Sequence, residues 1–208
     1  MAEILRFPAQ ASKLGYKRVR RRTRDTGHPD QLELFSQPTA RIIQFAPAGG
    51  TFDQALTLDE RGEPETAADL YRKAIEEGHC VADAYCNLGI IESQNKNTSK
   101  AFDCFTTSLK HDPRHVESHY NLGDLYFELN DFRLAQTHFE MAVEIEPSFA
   151  SAHFNLALVR AINGDFPGAD AALAACQKLV PEADARRAGE LLADLRSSLA
   201  AASRATSS

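Results

Sequence analysis

Tryptophan is absent from this chain of 208 residues, methionine occurs twice and cysteine four times. Cys80, Cys86, Cys104 and Cys176 fall at irregular spacings with no C-x-x-C pair, which argues against a disulfide framework and against a cysteine-based zinc site. They read as reduced, mostly buried, small apolar residues. Apolar runs are short and broken by charge, so no transmembrane helix is expected. The opening MAEILRFPAQ has neither the apolar core nor the small-residue cleavage site of a secretory signal, and the expected location is cytoplasmic. Without a secretory route the Asn97-Thr98-Ser99 sequon carries no meaning. A glycine-rich phosphate loop, a nucleophile elbow and paired cysteine ligands are missing too, so neither a cofactor nor a catalytic centre is expected.

Charge is present but unevenly spread. Residues 1–50 carry nine Lys/Arg against four Asp/Glu, a balance of +5, whereas the remainder carries fourteen against twenty-five, a balance of −11. A basic tail on an acidic body is the first functional signal.

The second signal is repetition. ADAYCNLGIIESQN, VESHYNLGDLYFEL and ASAHFNLALVRAIN align without gaps at a spacing of 34 residues. Leu88, Leu122 and Leu156 recur at that period, as do Ala101, Ala135 and Ala169; Phe105, Phe139 and Leu173; and Pro113, Pro147 and Pro181. Each type has a physical use. Tyr85, Leu88, Gly89 and Glu92 form one helical stripe, on which Gly89 and Gly123 let a partner helix come close while Phe105 and Phe139 fill the remaining volume. The prolines end each unit, and Asn-Asp in LNDF and Gly-Asp in NGDF supply the turns inside it. A worn copy precedes these, with Ala67, Tyr71 and Ala74 in register but His79 in place of proline. After Pro181, Ala188, Leu191, Leu192, Leu195 and Leu199 lie along one side of a further helix, the solvating end that a stacked array needs.

The pattern of aromatic, Leu-Gly, Tyr, Ala, Phe and closing Pro resembles the tetratricopeptide repeat (TPR) family. The resemblance covers residues from about 50 to 203. It implies an all-α solenoid of about four helical hairpins in a right-handed superhelix, a C-terminal capping helix and a largely disordered basic N-terminal tail. The expected divisions are a tail over 1–48, repeats over 49–182 (49–81 worn, then 82–115, 116–149 and 150–182), a cap over 183–203 and an end over 204–208.

The family resemblance also implies that the first helix of each pair lines a concave groove, used to bind another protein. On those helices lie Asp83, Asn87, Ile90 and Gln94; Glu117, Asn121, Asp124 and Glu128; and Ser151, Asn155, Leu158 and Ile162, each set a single face. Related repeats use a ladder of the kind formed by Asn87, Asn121 and Asn155 to hold an extended peptide, an amide being both donor and acceptor. One subclass grips chaperone tails with Lys and Arg on this face; here the face is acidic, which favours a basic or neutral ligand. The leading expectation is a non-catalytic protein–protein adaptor with no membrane partner.

Two tail motifs support an alternative. Lys17, Arg18, Arg20, Arg21, Arg22 and Arg24 form a run suited to nucleic acid, to an anionic surface or to the chain's own acidic groove. Gln31-Leu32-Glu33-Leu34-Phe35 resembles the pentapeptide by which bacterial replication proteins bind the sliding clamp, with Gln31, Leu32, Leu34 and Phe35 matching and Glu33 departing from the usual shorter acid. Equally, Leu32, Leu34 and Phe35 suit docking on the first repeat, as do Ile42, Ile43 and Phe45. His115 and His119 lie four apart, but a metal site needs a third ligand, and His119 and His153 stand at the repeat's aromatic position, where packing explains them.

Overall fold

The computed structural model describes residues 50–206, with side chains placed as far as residue 201. The described residues form helices only: α1 (Thr51–Glu60), α2 (Pro64–Glu76), α3 (Val81–Gln94), α4 (Thr98–His111), α5 (Val116–Glu128), α6 (Phe132–Ile145), α7 (Ala150–Ile162), α8 (Phe166–Leu179) and α9 (Glu182–Thr206). The first eight pair into four antiparallel hairpins, and each hairpin's second helix packs on the first helix of the next. The helix α9 closes the stack against α7 and α8.

One turn, used four times, sets the hairpin geometry. Gly62, Lys96, Asn130 and Gly164 are spaced 34 apart and all take positive φ, between 60° and 83°. The next amide then reaches back across the helix end: Glu63 N to Leu58 O, Asn97 N to Glu92 O, Asp131 N to Tyr126 O and Asp165 N to Arg160 O. Such a left-handed residue followed by a six-to-one hydrogen bond satisfies the last carbonyls of the first helix. Asp131 and Asp165 then cap the second helix, accepting from Leu134 N and Gly168 N.

Between repeats the chain stops differently. Asp112, Glu146 and Val180 are extended, as a residue before proline prefers. At the first junction, where proline is lacking, Gly78 at φ 73° stands in, with His79 N bonded to Ala74 O. Even the worn repeat therefore keeps the frame.

The core follows the small-residue reading. A Cβ on Gly89 would lie 2.6 Å from the Phe105 ring, and one on Gly123 would lie 2.6 Å from the Phe139 ring. Phe105, Phe139, Ala101 and Ala135 are fully buried. The last repeat changes both partners together, setting Ala157 where Gly89 and Gly123 stand and Leu173 where the phenylalanines stand. On α9, Ala188, Leu192 and Leu195 are buried and Leu199 is packed beside them. Leu191 departs from the expected stripe and is 40% exposed. Positions 188, 192, 195 and 199 already complete one face, and 191 falls on its rim.

Candidate functional site

Charge is segregated by helix. The first helices α1, α3, α5 and α7 together carry eight Asp/Glu and a single Lys/Arg, Arg160. The second helices α2, α4, α6 and α8 carry seven against six. Most of the acidity of the described residues therefore lies on the first helix of each hairpin. Arg160 does not offset it: its guanidinium reaches Glu140 Oε1 at 2.9 Å and also donates to Gly168 O. Some of the eight serve local structure, since Asp53 accepts from Gly50 N and Glu92 from Asn97 Nδ2. Half of the eight, Asp83 on α3 and Glu117, Asp124 and Glu128 on α5, are the residues of the acidic stripe expected from the sequence.

At one end of that stripe Asp83 Oδ1 is 2.9 Å from His115 Nε2, joining α3 to the start of α5. Burial disfavours charge on this ring, but the hydrogen bond to Asp83, a contact with Cys86 and the Glu117 carboxylate outweigh it and raise its pKa to about 10. His115 also caps α5, its Nδ1 accepting from Ser118 N at 3.1 Å. The two demands conflict. The carboxylates favour the imidazolium, whereas the cap needs a bare Nδ1, and a protonated ring exchanges the Ser118 amide for Glu117, 3.8 Å away.

In the middle, Asn155 Nδ2 donates to Asp124 Oδ1 at 2.7 Å and to the Tyr120 hydroxyl at 3.1 Å. A carboxylate only accepts, so this contact fixes which end of the amide faces Asp124. Asn155 Oδ1 is then left buried with no hydrogen-bond partner. Burial, reinforced by the Asp124 carboxylate, lifts the Tyr120 hydroxyl well above its ordinary range, so it stays a neutral donor.

The three asparagines do recur at the repeat period, but each already ties its helix to an earlier one. Asn87 Nδ2 donates to the Tyr71 hydroxyl at 3.2 Å and Asn121 Nδ2 to Cys86 Sγ at 3.3 Å, as Asn155 does to Tyr120. All three are buried, which differs from a ladder standing wholly open to a ligand. Ile90 and Leu158 are buried among apolar neighbours of adjoining repeats. Asp83 and Glu117 are partly exposed and Glu128 is exposed.

The acceptors Cys86 and Tyr120 belong to a sequence period of their own. Phe52, Cys86, Tyr120 and Phe154 recur at 34 residues, and the last three directly precede an asparagine. Cys86 and Tyr120 take the amide from the next repeat; Phe52 has no acceptor, so Asn87 turns to Tyr71.

His119, His138 and His153 bond within the fold. His119 Nε2 meets Pro113 O and His153 Nε2 meets Pro147 O, one repeat apart. His138 joins His119 through their Nδ1 atoms at 3.2 Å and stacks on Tyr126. Burial and the neighbouring ring lower the His138 pKa to about 4. Burial, backed by the Glu92 and Asp103 carboxylates, pushes the Cys104 thiol up to about 11. All four cysteines are free, and among the described residues no three His, Cys, Asp or Glu are placed to hold a metal ion. No helix there is long and apolar enough to cross a membrane. The basic run Lys17, Arg18, Arg20, Arg21, Arg22 and Arg24, the Gln31, Leu32, Leu34 and Phe35 motif, and Ile42, Ile43 and Phe45 lie outside the described residues.

Two family models for the tetratricopeptide repeat match the chain, over residues 80–147 and 120–188, together more than half of it. The chain belongs to the TPR family. Solved TPR structures share the fold. YrrB, described as a TPR protein with an unusual peptide-binding site, is 28% identical, with a TM-score of 0.57 over 69% of this chain and 75% of that one. TTC0263, a thermophilic TPR protein of Thermus thermophilus, is 21% identical, with a TM-score of 0.56 over 72% and 81%. The first TPR domain of Spaghetti (RPAP3), bound to the HSP90 peptide SRMEEVD, is 22% identical, with a TM-score of 0.52 over 57% and 93%. No curated protein matches the sequence. TPR proteins are generally interaction scaffolds, and membership of the family supports a protein–protein interaction role for this chain.

Proposed function

We propose that the concave face of this TPR chain binds a basic, extended segment of a partner protein and acts as an adaptor without catalysis. The observation that carries this reading is the charge of the first helices: eight carboxylates and one arginine, which is engaged by Glu140. Peptide binding by YrrB and by the RPAP3 domain supports the use of such a face for a peptide. The RPAP3 ligand SRMEEVD is acidic at its end; a face built of Asp83, Glu117, Asp124 and Glu128 repels such a tail and attracts Lys and Arg. Asn87, Asn121 and Asn155 hold this floor in register, and Ile90 and Leu158 give it apolar backing.

The test uses the full chain with Arg18, Arg20, Arg21 and Arg22 replaced by Gln, so that no basic run of its own enters the measurement. A fluorescent nonapeptide of alternating Arg and Ser, and its Glu-for-Arg counterpart, are titrated by anisotropy over a salt series. The basic peptide binds more tightly, and its affinity falls as salt rises. Adding Asp124→Asn and Glu128→Gln weakens it about ten-fold, one partly exposed and one exposed charge contact contributing roughly 0.5–1 kcal/mol each. Equal binding of the two peptides, or indifference to salt, would overturn the proposal.

A further inference from the structure

We infer that the concave acidic face is occupied, in the absence of a partner, by the chain's own segment from Lys17 to Arg24, which a partner must displace. This rests on the reading of the groove given above and names its regulation.

Three observations point to this occupant. The first is complementarity within one molecule: Lys17-Arg18-Val19-Arg20-Arg21-Arg22-Thr23-Arg24 holds six cations in eight residues, and the first helices hold eight carboxylates and one engaged arginine. Spacing agrees with charge. In extended form alternate arginines of the segment would stand ~7 Å apart. Asp124 and Glu128, one turn apart on α5, are separated by a rise of ~6 Å. The second is an unpaired acceptor buried beside Asp124. Asn155 is 5% exposed and its Oδ1 has no hydrogen-bond partner, while its Nδ2 is fixed on Asp124 and Tyr120. A buried carbonyl oxygen without a donor is costly, and a small shift of the Asn155 amide would let a guanidinium or peptide N–H beside Asp124 supply that donor. The third is reach. Arg24 and Gly50 are 26 positions apart, which permits a span of up to about 90 Å. The inner face from α1 to α7 covers three helix-to-helix steps, roughly 30 Å at ~10 Å each.

A tethered segment competes at an effective concentration on the order of a millimolar. A free peptide therefore sees only the fraction of molecules whose groove is open, and its apparent affinity falls by that fraction. Salt weakens the internal contact and the external one together, since both are between partly exposed charges.

The test compares the wild-type chain with the Arg18→Gln, Arg20→Gln, Arg21→Gln, Arg22→Gln chain, both full length, using the fluorescent Arg/Ser nonapeptide. The neutralised chain is expected to bind the probe at least about ten-fold more tightly than wild type, with the difference narrowing as salt rises. Unlabelled GYKRVRRRTR, the sequence of residues 15–24, is expected to displace the probe from the neutralised chain. If wild type and the neutralised chain bind the probe equally, the internal occupant is overturned and the groove reading stands. If the neutralised chain fails to bind it, the groove reading falls and takes this inference with it. Sedimentation velocity separates a further case: the inference predicts a monomer at all concentrations, and dimers that vanish on neutralisation would overturn it in favour of exchange between copies. Binding of duplex DNA by wild type, lost on neutralisation with no gain in probe affinity, would overturn it in favour of a nucleic-acid contact.

Discussion

At the scale of single residues, the chain contains its own control experiment. Gly123 faces the Phe139 ring at a distance no Cβ tolerates, and the last repeat answers the same problem with Ala157 and Leu173. Gly123→Ala is therefore expected to cost about 1–3 kcal/mol through overpacking. Phe139→Leu in the same chain is expected to recover part of that loss, so that the double variant is less destabilised than the two singles combined. Urea unfolding of the four chains measures this, and simple additivity would show that the ring is not what Gly123 makes room for. The glycine and the phenylalanine were both legible from spacing, and their contact was the expected one. The asparagines were legible as a period but not in their bonding. Which neighbour takes each amide depends on whether the residue one repeat earlier is Phe52, Cys86 or Tyr120, and that is a matter of helix placement.

The hairpin is the element that repeats, and pH acts on one of them. His119 on α5 and His138 on α6 share one hydrogen bond, with His119 Nε2 set against Pro113 O and His138 stacked on Tyr126. A ring that donates through Nε2 accepts at Nδ1, so His138 donates and both rings are neutral. Burial lowers the pKa of each, that of His138 to about 4. The unfolded chain takes up these protons near pH 6.5 and the folded one only near 4 for His138, so stability is full above about 6.5 and falls as pH drops toward 4. His115, raised by its carboxylates, acts with opposite sign: its contribution is full below about 6.5 and fades as pH climbs through about 10. His138→Gln keeps a donor for His119 without titrating there, and it is expected to flatten the acid side of the profile. Urea midpoints from pH 7 to pH 4.5 would show it, and an unchanged slope would remove His138 from the account.

For the whole molecule, the stack makes energy local. Each hairpin packs on its neighbours in sequence, so stability is close to a sum of repeats and their junctions. The cap α9 is held by Leu192 and Leu195 in the core and by Arg196, which reaches Asp170 Oδ1 at 2.7 Å and lies over the Phe166 ring. Leu192→Ala is expected to cost about 2–4 kcal/mol at that junction. Amide exchange followed by mass spectrometry should speed up in α7, α8 and α9 and stay unchanged in α3 and α4. Faster exchange throughout would mean that the repeats unfold as one unit. The acidity of the first helices is likewise a property of the whole. It follows from carboxylates on α1, α3 and α5, with none on α7.

A period of 34, with leucine, small, aromatic and proline positions in step, was enough by itself to determine the helices, their pairing and the family. Those features are local or nearest-neighbour: a residue at 60° to 83° in φ ends a helix wherever it stands, and a glycine admits a ring wherever two helices cross. Leu191 shows the limit of that reasoning, since a helical stripe gives a side but not the edge of the surface it meets. Only the tertiary structure decided that Arg160 is engaged by Glu140, that Asp83 meets His115, and that Asn155 lies between Asp124 and Tyr120 with one oxygen left over. Each of those joins residues on different helices. A difference of a few ångströms in how two helices cross separates a hydrogen bond from a gap, and no one-dimensional spacing carries it.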